Sequence, residues 1–358
     1  RVRSSAASDV YKRQVFVGLA KLFAVHGPTG LARAVQLCNV AALLLLVLFA
    51  CRFAPAAERE PWLWAAALGA VNPLAVLMQR KIWPPAVLPL LTALTLCAWQ
   101  RRSTRAGAFL AGLVVVCMGQ IHMSGYFFGA AFALWALLFD RRGVAWGAGL
   151  AGAALGALPM VPWLGALAAA PRAAPPVNVL NALNGKFWAG WAEWGFGFGI
   201  HDALHHDFFD FLSQPHILGL PTYLVAVAHL LLAAVGVGLL ARLAWSLGTR
   251  RRELGTQFVG RDSPGAFVQN AAFWGFGLLL TATCVPLHGY YLAILFPLEF
   301  LWVARLALGR RDAPPAAVRQ GRAALGVLWA AQLLISACFL GYVHSRQDAV
   351  GGYGASYG

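Results

Sequence analysis

Charged side chains are scarce in this sequence. Asp, Glu, Lys and Arg make up 11% of its 358 residues, only 13 residues are acidic, and 60% are hydrophobic. Soluble domains of ordinary composition carry roughly 25% charged residues. The deficit argues against a core surrounded by water and indicates a chain solvated mostly by lipid, because a charged side chain at the centre of a membrane helix costs about 3 kcal/mol.

Several common signals are also missing. The six cysteines lie inside apolar stretches and form no CxxC pair, which argues against a disulfide framework or a cysteine-based metal site. The net charge of +15 comes from basic residues in short groups between apolar stretches, so nucleic acid is not expected as a partner. Residues 1–14 (RVRSSAASDVYKRQ) have no apolar core and are not a signal peptide. We expect this segment to be non-native, adapter-derived sequence and the natural chain to begin earlier.

Apolar runs are what the sequence has in abundance, and they predict an all-α integral membrane protein. Runs long enough to cross about 30 Å of hydrocarbon predict about ten transmembrane helices. These are at 31–52, 61–79, 84–100, 106–122, 124–139, 143–169, 219–247, 265–286, 289–308 and 322–344. The segment 15–26 is too short to span and contains Lys21, so residues 15–30 are predicted to be an interfacial helix and a turn.

The distribution of Lys and Arg predicts how the chain is oriented. If the spans alternate, most basic groups in the short loops fall on one side, which is then the cytoplasm. The expected organisation is a transmembrane module at 31–169, an extracytoplasmic loop at 170–218, C-terminal spans at 219–344 and an extracytoplasmic tail at 345–358. Such a protein would be a multi-pass protein of a bacterial inner membrane, with any chemistry on its outer face.

Arg80 and Lys81 depart from this charge pattern because they lie at the outer end of a predicted span. One interpretation is interfacial snorkelling beside Trp83. The other is that the two cations bind the phosphate of a lipid substrate, since the guanidinium group offers a planar fork to phosphate oxygens.

Further polar side chains are predicted at the same outer rim. Gln120 and His122 lie between two spans, where a histidine is either satisfied by a backbone carbonyl or acts as a donor to phosphate or a proton carrier. Tyr290 and Tyr291 open a later span, where tyrosines mostly form an interfacial belt. Glu299 within that span is a functional candidate, unless it only pairs with Arg305 further along the span.

The outer loop is rich in aromatic residues and histidines. Trp188, Trp191 and Trp194 are candidates for stacking against sugar rings. If the following residues form one helix, His201 shares a face with His205, and His206 with Asp210; either pair could ligate a metal. The same residues also fit an amphipathic helix on the membrane surface, with Trp and Phe in lipid and His and Asp in water. This interpretation is favoured, so no metal ligand is assigned.

The chain resembles the GT-C superfamily, and within it the family of dolichyl-phosphate-mannose protein mannosyltransferases and bacterial aminoarabinose transferases. The resemblance covers nearly all of residues 15–344. It depends on residues 15–52, 72–84 (NPLAVLMQRKIWP), 120–125 (QIHMSG) and 290–297 (YYLAILFP). It implies an inverting transfer of a sugar from a polyprenyl-phosphate donor to a lipid, protein or glycan acceptor. A divalent metal is possible.

The resemblance also assigns roles. The phosphate leaving group needs nearby positive charge or donors, and Arg80, Lys81 and His122 match those positions, with Gln120, Tyr290, Tyr291, Trp188 and Trp191 as further substrate-binding candidates. The family's acidic base follows its first span and is expected upstream of this chain, since no Asp or Glu occurs between Val15 and Phe53. The fragment alone is therefore expected to be inactive. Gly289, after His288, departs from the arginine of the family pattern.

Two other classes of function remain open. A transporter or lipid flippase is the main alternative, and it would show inverted repeats, broken helices and charges near the midplane. A structural or assembly protein without catalysis is the second.

Overall fold

The computed structural model describes residues 18, 21, 27–162, 179–183, 185–249, 254–260, 263–284, 287–309 and 313–345. The segment 1–14, most of 15–26, the start of the outer loop and the tail from 346 onward lie outside these residues, as do the predictions made for them.

The described part of the chain before the outer loop is helical. Its α-helices are α1 (Gly27–Arg52), α2 (Ala56–Val71), α3 (Pro73–Gln79), α4 (Leu88–Gln100), α5 (Arg105–Ile121), α6 (Ser124–Phe139) and α7 (Trp146–Ala157). Short 3-10 turns lie at Pro84–Val87, Arg141–Gly143 and Leu158–Met160.

The outer loop and the following chain are also mainly helical. The loop contains a 3-10 turn at Val179–Leu183, α8 (Lys186–Phe196), α9 (His201–Leu204), a 3-10 turn at His205–Asp207 and α10 (Phe208–Leu212). A small antiparallel hairpin follows, with β1 (His216–Ile217) and β2 (Leu220–Pro221). The remaining helices are α11 (Leu224–Thr249), α12 (Leu254–Val259), α13 (Pro264–Asn270), a π-helix (Ala271–Phe276), α14 (Gly277–Ala282), α15 (Leu298–Leu308) and α16 (Pro315–Ser345).

Three helices are long and apolar enough to cross a bilayer: α1, α11 and α16. All three expose large apolar side chains, among them Leu44, Leu230 and Leu340. Contiguous exposed apolar surface of this kind indicates contact with lipid. The prediction of a helical membrane protein is confirmed at this level.

The ten-span count stays a prediction. The pair α2 and α3 passes as a fourth span only if it is taken together, since the two helices meet at a bend of 60°. Four other apolar segments, at Pro84–Gln100, Arg105–Ile121, Ser124–Phe139 and Trp146–Met160, are 10–17 residues long. At 1.5 Å per residue, the longest reaches about 25 Å.

The two late predicted spans are not single α-helices. At 265–286 the helix passes through the π-helical segment, and at 289–308 a 3-10 turn over Gly289–Leu295 ends before Pro297. Proline has no N–H to donate and crowds the preceding residue, so α15 begins only after it.

The described residues form two compact units. The first draws on Arg1–Leu45, Ile82–Trp188 and Val259–Phe296. In this unit α5 packs against α4, α6 and α7. Gly112 and Gly152 allow the closest approach between α5 and α7: a Cβ at Gly112 would collide with the backbone of Gly149. Small residues at helix contacts are typical of membrane bundles, where backbones approach closely.

The second unit draws on Leu46–Lys81, Ala189–Phe258 and Pro297–Gly358. Here α16 packs against α2, α3, α11 and α15, and α10 packs against α11. Its largest fully buried side chains include Trp62, Trp191, Phe196, Phe211 and Phe339. The core of this unit is therefore strongly aromatic.

Candidate functional site

A sharp bend after α2 orients the basic pair of the second unit. Asn72 is the N-cap of α3, and its Oδ1 accepts hydrogen bonds from the amide groups of Leu74 and Ala75, each at 3.1 Å. Pro73 occupies the first helical position, where its missing N–H leaves no bond unmade. The Asn-Pro dipeptide thus ends one helix and begins the next in a new direction.

A buried amide network fixes this bend. The Asn72 side-chain nitrogen donates to the Trp194 carbonyl at 2.9 Å and to Gln332 Oε1 at 3.3 Å, and Gln332 Nε2 donates to the Phe196 carbonyl at 3.2 Å. Asn72 and Gln332 are both fully buried. Gly197 has a φ of 87°, and a Cβ there would lie 2.9 Å from Gln332 Cδ, so glycine suits both the conformation and the space.

A second polar contact supports the same bend. The Ser336 hydroxyl donates to the Val71 carbonyl at 2.6 Å, satisfying a group at the end of α2. Ser336 lies one turn after Gln332, so both side chains leave α16 on one face. Sequence analysis missed this network, although a Gln and a Ser four residues apart in an apolar span were a usable signal.

Arg80 is the C-cap of α3 and belongs to an aromatic cluster at one end of α16. Its guanidinium carbon lies 5.9 Å from the centre of the Phe339 ring, a cation–π distance. Phe211 of α10 packs edge-on against Phe339 and Tyr342, and the Tyr342 hydroxyl donates to Asp210 Oδ2 at 2.9 Å. We call Arg80, Asp210, Phe211, Phe339 and Tyr342 the Phe339 cluster.

Lys81 follows directly and is half-buried, as is Arg80. Burial lowers the pKa of the Lys81 amine, because removing water disfavours the charged form. A nearby anion would offset this desolvation.

The other charged contact of α16 lies far from this cluster. Arg322 makes a two-pronged ion pair with Glu60 of α2, with N–O distances of 2.7 and 2.8 Å, and both side chains are exposed. From Arg322 to Phe339 is about 26 Å along the helix, close to the thickness of the hydrocarbon core. Arg80 and the loop helix α10 therefore meet α16 at the same end, opposite the Arg322 pair.

His122 lies in the first unit, at the tight turn between α5 and α6. Its Nδ1 accepts the Ser124 N–H at 3.3 Å and lies 2.7 Å from the Ser124 hydroxyl. Because Nδ1 is an acceptor, the neutral ring has its proton on Nε2 and the Ser124 hydroxyl donates to Nδ1. Ser124 thus helps to hold the His122 ring in place.

Tyr291 joins His122 to a second histidine. The rings of His122 and Tyr291 meet edge-on at 4.8 Å, and Tyr291 stacks on His288 at 6.1 Å. Tyr291 is buried and His288 exposed, while Tyr290 is described only by its place in the 3-10 turn. The structure therefore brings His122 and Tyr291 together, as their shared position at the rim predicted.

Gln120 is buried two residues before His122. Its nitrogen donates to the Gly156 carbonyl at 2.7 Å, whereas its Oε1 is buried with no hydrogen-bond partner among the described residues. This hydrogen bond joins α5 to α7, so the Gln120 side chain has a structural role.

The tryptophans of the outer loop do not form the predicted sugar platform. Trp191 and Trp194 are buried, and a ring with no exposed face cannot stack on a sugar. Trp188, in the first unit, is half-buried and packs edge-on against Phe187. The membrane-surface helix favoured from sequence is also wrong here, because α8 buries its aromatic face in protein core rather than in lipid.

The histidine segment after α8 is not one helix either. α9 ends at Leu204, and His205 has a positive φ of 47°, which breaks the helix between His201 and His205. The shared face assumed for His201 and His205 therefore does not form, whereas His206 and Asp210 lie in the helical stretch that follows the break. Within the described residues, no group of three or more His, Cys, Asp or Glu side chains could hold a metal ion.

Glu299 is buried in the first turn of α15, within the second unit. Neither of its carboxylate oxygens accepts a hydrogen bond from another described residue. The alternative that it pairs with Arg305 is therefore not supported by the structure. A buried carboxylate without a partner is expensive, and in membrane proteins it is a functional candidate.

The predicted ligand set is divided between the units. Arg80, Lys81 and Trp191 belong to the second unit, and Gln120, His122, Trp188, Tyr290 and Tyr291 to the first. The chain matches no family model, no curated protein and no solved structure.

Proposed function

We propose that the protein is a GT-C-type glycosyltransferase that transfers a sugar from a polyprenyl-phosphate donor at the extracytoplasmic face of a bacterial inner membrane. In this proposal Arg80 and Lys81 bind the donor phosphate. The supporting observation is the placement of two adjacent, half-buried cations at the C-terminal end of α3, with Arg80 over Phe339 at the end of a candidate span.

The chemistry of the transfer explains why such cations would be needed. When the sugar leaves its polyprenyl phosphate, negative charge develops on the phosphate oxygens. A guanidinium group can donate two parallel hydrogen bonds to these oxygens, and the Phe339 ring beneath it restrains its position. Lys81 adds a second charge that is only partly hydrated in the free protein.

The prenyl chain needs apolar surface next to the phosphate. α16 and α11 expose leucines toward the region that lipid would occupy, including Leu333 and Leu230. Contacts along a long chain would supply binding energy remote from the reacting carbon. The acceptor and the sugar are left open, and no described acidic residue is assigned as the base.

Binding of a fluorescent short-chain polyprenyl phosphate to the purified protein in nanodiscs tests the proposal. Arg80→Ala should weaken binding by about tenfold or more, the loss typical of a hydrogen bond to a charged group. The corresponding polyprenol, which has no phosphate, should bind both proteins equally. Arg319→Ala is the matched control, because Arg319 is an exposed arginine near the other end of α16.

Two outcomes would contradict this assignment. Undiminished binding by Arg80→Ala would remove Arg80 from the site, and equal loss in Arg319→Ala would indicate non-specific charge. The pH profile provides a second measurement. Affinity should fall as pH rises through the lowered pKa of Lys81, because the amine then loses its charge, whereas Lys81→Arg should keep its affinity there.

Transfer itself is measured by following a labelled sugar from polyprenyl phosphate in native membranes that contain this chain joined to the upstream segment in which the acidic base is expected. Arg80→Ala should lose most of this transfer and Arg319→Ala should retain it. A protein that binds the lipid phosphate but transfers no sugar in these membranes would contradict the glycosyltransferase assignment.

A lipid flippase or transporter is the second candidate, and particular observations favour it. The bent pair α2 and α3, the π-helix at Ala271–Phe276 and the buried Glu299 are features found where transport proteins interrupt their helices. Protein-dependent movement of labelled polyprenyl phosphate across vesicle membranes, without sugar transfer, would favour this function.

A further inference from the structure

A two-stranded hairpin precedes α11 and ends in an apolar tip. Ile217 of β1 pairs with Leu220 of β2, and the two residues between them, Leu218 and Gly219, have positive φ values of 52° and 79°. Two successive positive φ values in a two-residue loop are the pattern of a type I′ turn, which favours Asn, Asp and Gly.

Leucine is an unusual choice at this position. A side chain with a Cβ is disfavoured in the left-handed region, so the backbone at Leu218 is strained. Its side chain is also 97% exposed, beside Leu220 at 70% and Ile217 at 58%. If the tip lay in water, both the strained backbone and the exposed apolar side chain of Leu218 would be unfavourable. An apolar environment around the tip would remove the cost of the exposed side chain.

The base of the hairpin is fixed to the start of a candidate span. The Val225 N–H, in the first turn of α11, donates to the Gln214 carbonyl at 3.1 Å. The Thr222 hydroxyl donates to the Pro215 carbonyl at 2.7 Å, and its N–H to the Ser213 carbonyl at 3.2 Å. The hairpin is only two residue pairs long, about 7 Å, so its tip stays close to the end of α11.

The apolar surface of the tip continues onto α11. Tyr223 and Leu224 are exposed immediately after the hairpin, followed by Val227. Tyrosine is enriched at the level of the lipid headgroups. On the loop side, Phe209 of α10, a helix that packs against α11, is 80% exposed.

We propose that Ile217, Leu218 and Leu220 insert into the interfacial layer of the bilayer beside the N-terminal end of α11. The occupant of this surface is membrane lipid. The hairpin thereby anchors the folded part of the outer loop, including the neighbouring α10, at a defined depth. This inference depends on the membrane character of the chain and is independent of the proposed transferase activity.

Fluorescence at the tip tests the anchor. Leu218→Cys, in a background whose six cysteines are replaced by alanine, is labelled with an environment-sensitive dye and reconstituted in nanodiscs. Its emission should shift to the blue, and lipids with a quencher near the headgroup should quench it more than lipids with a quencher deep in the acyl chains.

Two matched positions calibrate the result. Leu230→Cys on α11 is the lipid-facing reference, and Gln320→Cys at the exposed start of α16 is the water-facing reference. The tip should resemble Leu230→Cys in colour but be quenched from a shallower depth. If emission and quenching at Leu218→Cys match those at Gln320→Cys, the tip does not contact lipid and the proposal is overturned. A protein partner would then be the alternative occupant of this surface.

A second variant separates the turn from the lipid contact. Leu218→Asn suits the type I′ turn and removes the apolar side chain. With the dye placed at Ile217→Cys, the Asn variant should lose part of its blue shift while the melting temperature is retained. An unchanged signal would show that Leu218 makes no lipid contact.

Discussion

Two arginines lie near opposite ends of α16, Arg322 on the helix itself and Arg80 against its Phe339 side chain, and their surroundings differ. Toward its N-terminal end, Arg322 is exposed and pairs with Glu60 in solvent. Toward its C-terminal end, Arg80 is half-buried over Phe339, beside a tyrosine–aspartate hydrogen bond from the outer loop. The same type of side chain is therefore hydrated and paired at one level, and partly dehydrated against aromatic rings at the other.

This difference in exposure distinguishes an arginine that only reflects membrane orientation from one that is suited to bind a ligand. An exposed ion pair contributes little to stability, because water hydrates both of its charges. A partly buried cation has lost some hydration and gains more from a bound anion. Within the second unit, Arg80 and Lys81 are therefore better candidates for phosphate binding than Arg322.

The Arg80 end and the Arg322 end of α16 are expected to lie on opposite sides of the membrane, and cysteine labelling tests this. With cysteines introduced at exposed His206 or Gln320 in the cysteine-free background, an impermeant maleimide should label His206→Cys in intact cells. Gln320→Cys should react only after permeabilisation. The expected contrast is all or none, because a charged reagent does not cross the bilayer.

Labelling of both positions in intact cells would contradict the orientation and with it the extracytoplasmic site. Labelling of His206→Cys only after permeabilisation would move the Phe339 cluster to the cytoplasm. The unmodified cysteine-free protein is the background control for both.

The next largest effect is expected from the amide network that supports Arg80. Asn72→Ala removes the cap of α3 and leaves buried acceptors on Trp194 and Gln332 unsatisfied. The free energy of unfolding should fall by about 2–4 kcal/mol. Thermal or denaturant unfolding in detergent measures it, and binding of polyprenyl phosphate should weaken because the bend no longer holds Arg80.

Gln320→Ala is the control here, since it removes an exposed amide from the same helix. It should change neither stability nor phosphate binding. If Asn72→Ala unfolded at the same midpoint as the unaltered protein, the network would not be what stabilises the bend.

The smallest effect is expected at the exposed arginine. Arg322→Ala breaks the ion pair with Glu60, and its melting temperature should shift no more than for an ordinary surface substitution. Binding of polyprenyl phosphate should not change. A loss of binding comparable to that of Arg80→Ala would erase the distinction between the two levels of α16.

The three long apolar helices were predictable from the sequence. The apolar runs at 31–52, 219–247 and 322–344 correspond to α1, α11 and α16, because a long apolar run specifies a helix in lipid regardless of its neighbours. The late runs were harder. Pro297 was a usable signal for a break that the predicted span passed over, whereas the π-helical segment left no sign in the apolar pattern.

The candidate site was predictable only in part. The sequence singled out Arg80 and Lys81 because charge at a span end is conspicuous, and their role as ligands stays a prediction. The structure adds a ring contact between His122 and Tyr291. The tryptophans were misjudged, since sequence does not say whether an aromatic residue faces core, lipid or ligand. Trp191 is core.

The sequence by itself determined that this is a helical chain suited to lipid, because the cost of charge in hydrocarbon restricts composition over whole segments. Tertiary structure alone decided which polar groups matter in the second unit. Asn72 lies far along the chain from Gln332 and Ser336, and only folding brings α16 to the bend at Asn72. The same holds for Arg80 and Phe339: a cation–π contact depends on distance in space, which composition and spacing do not encode.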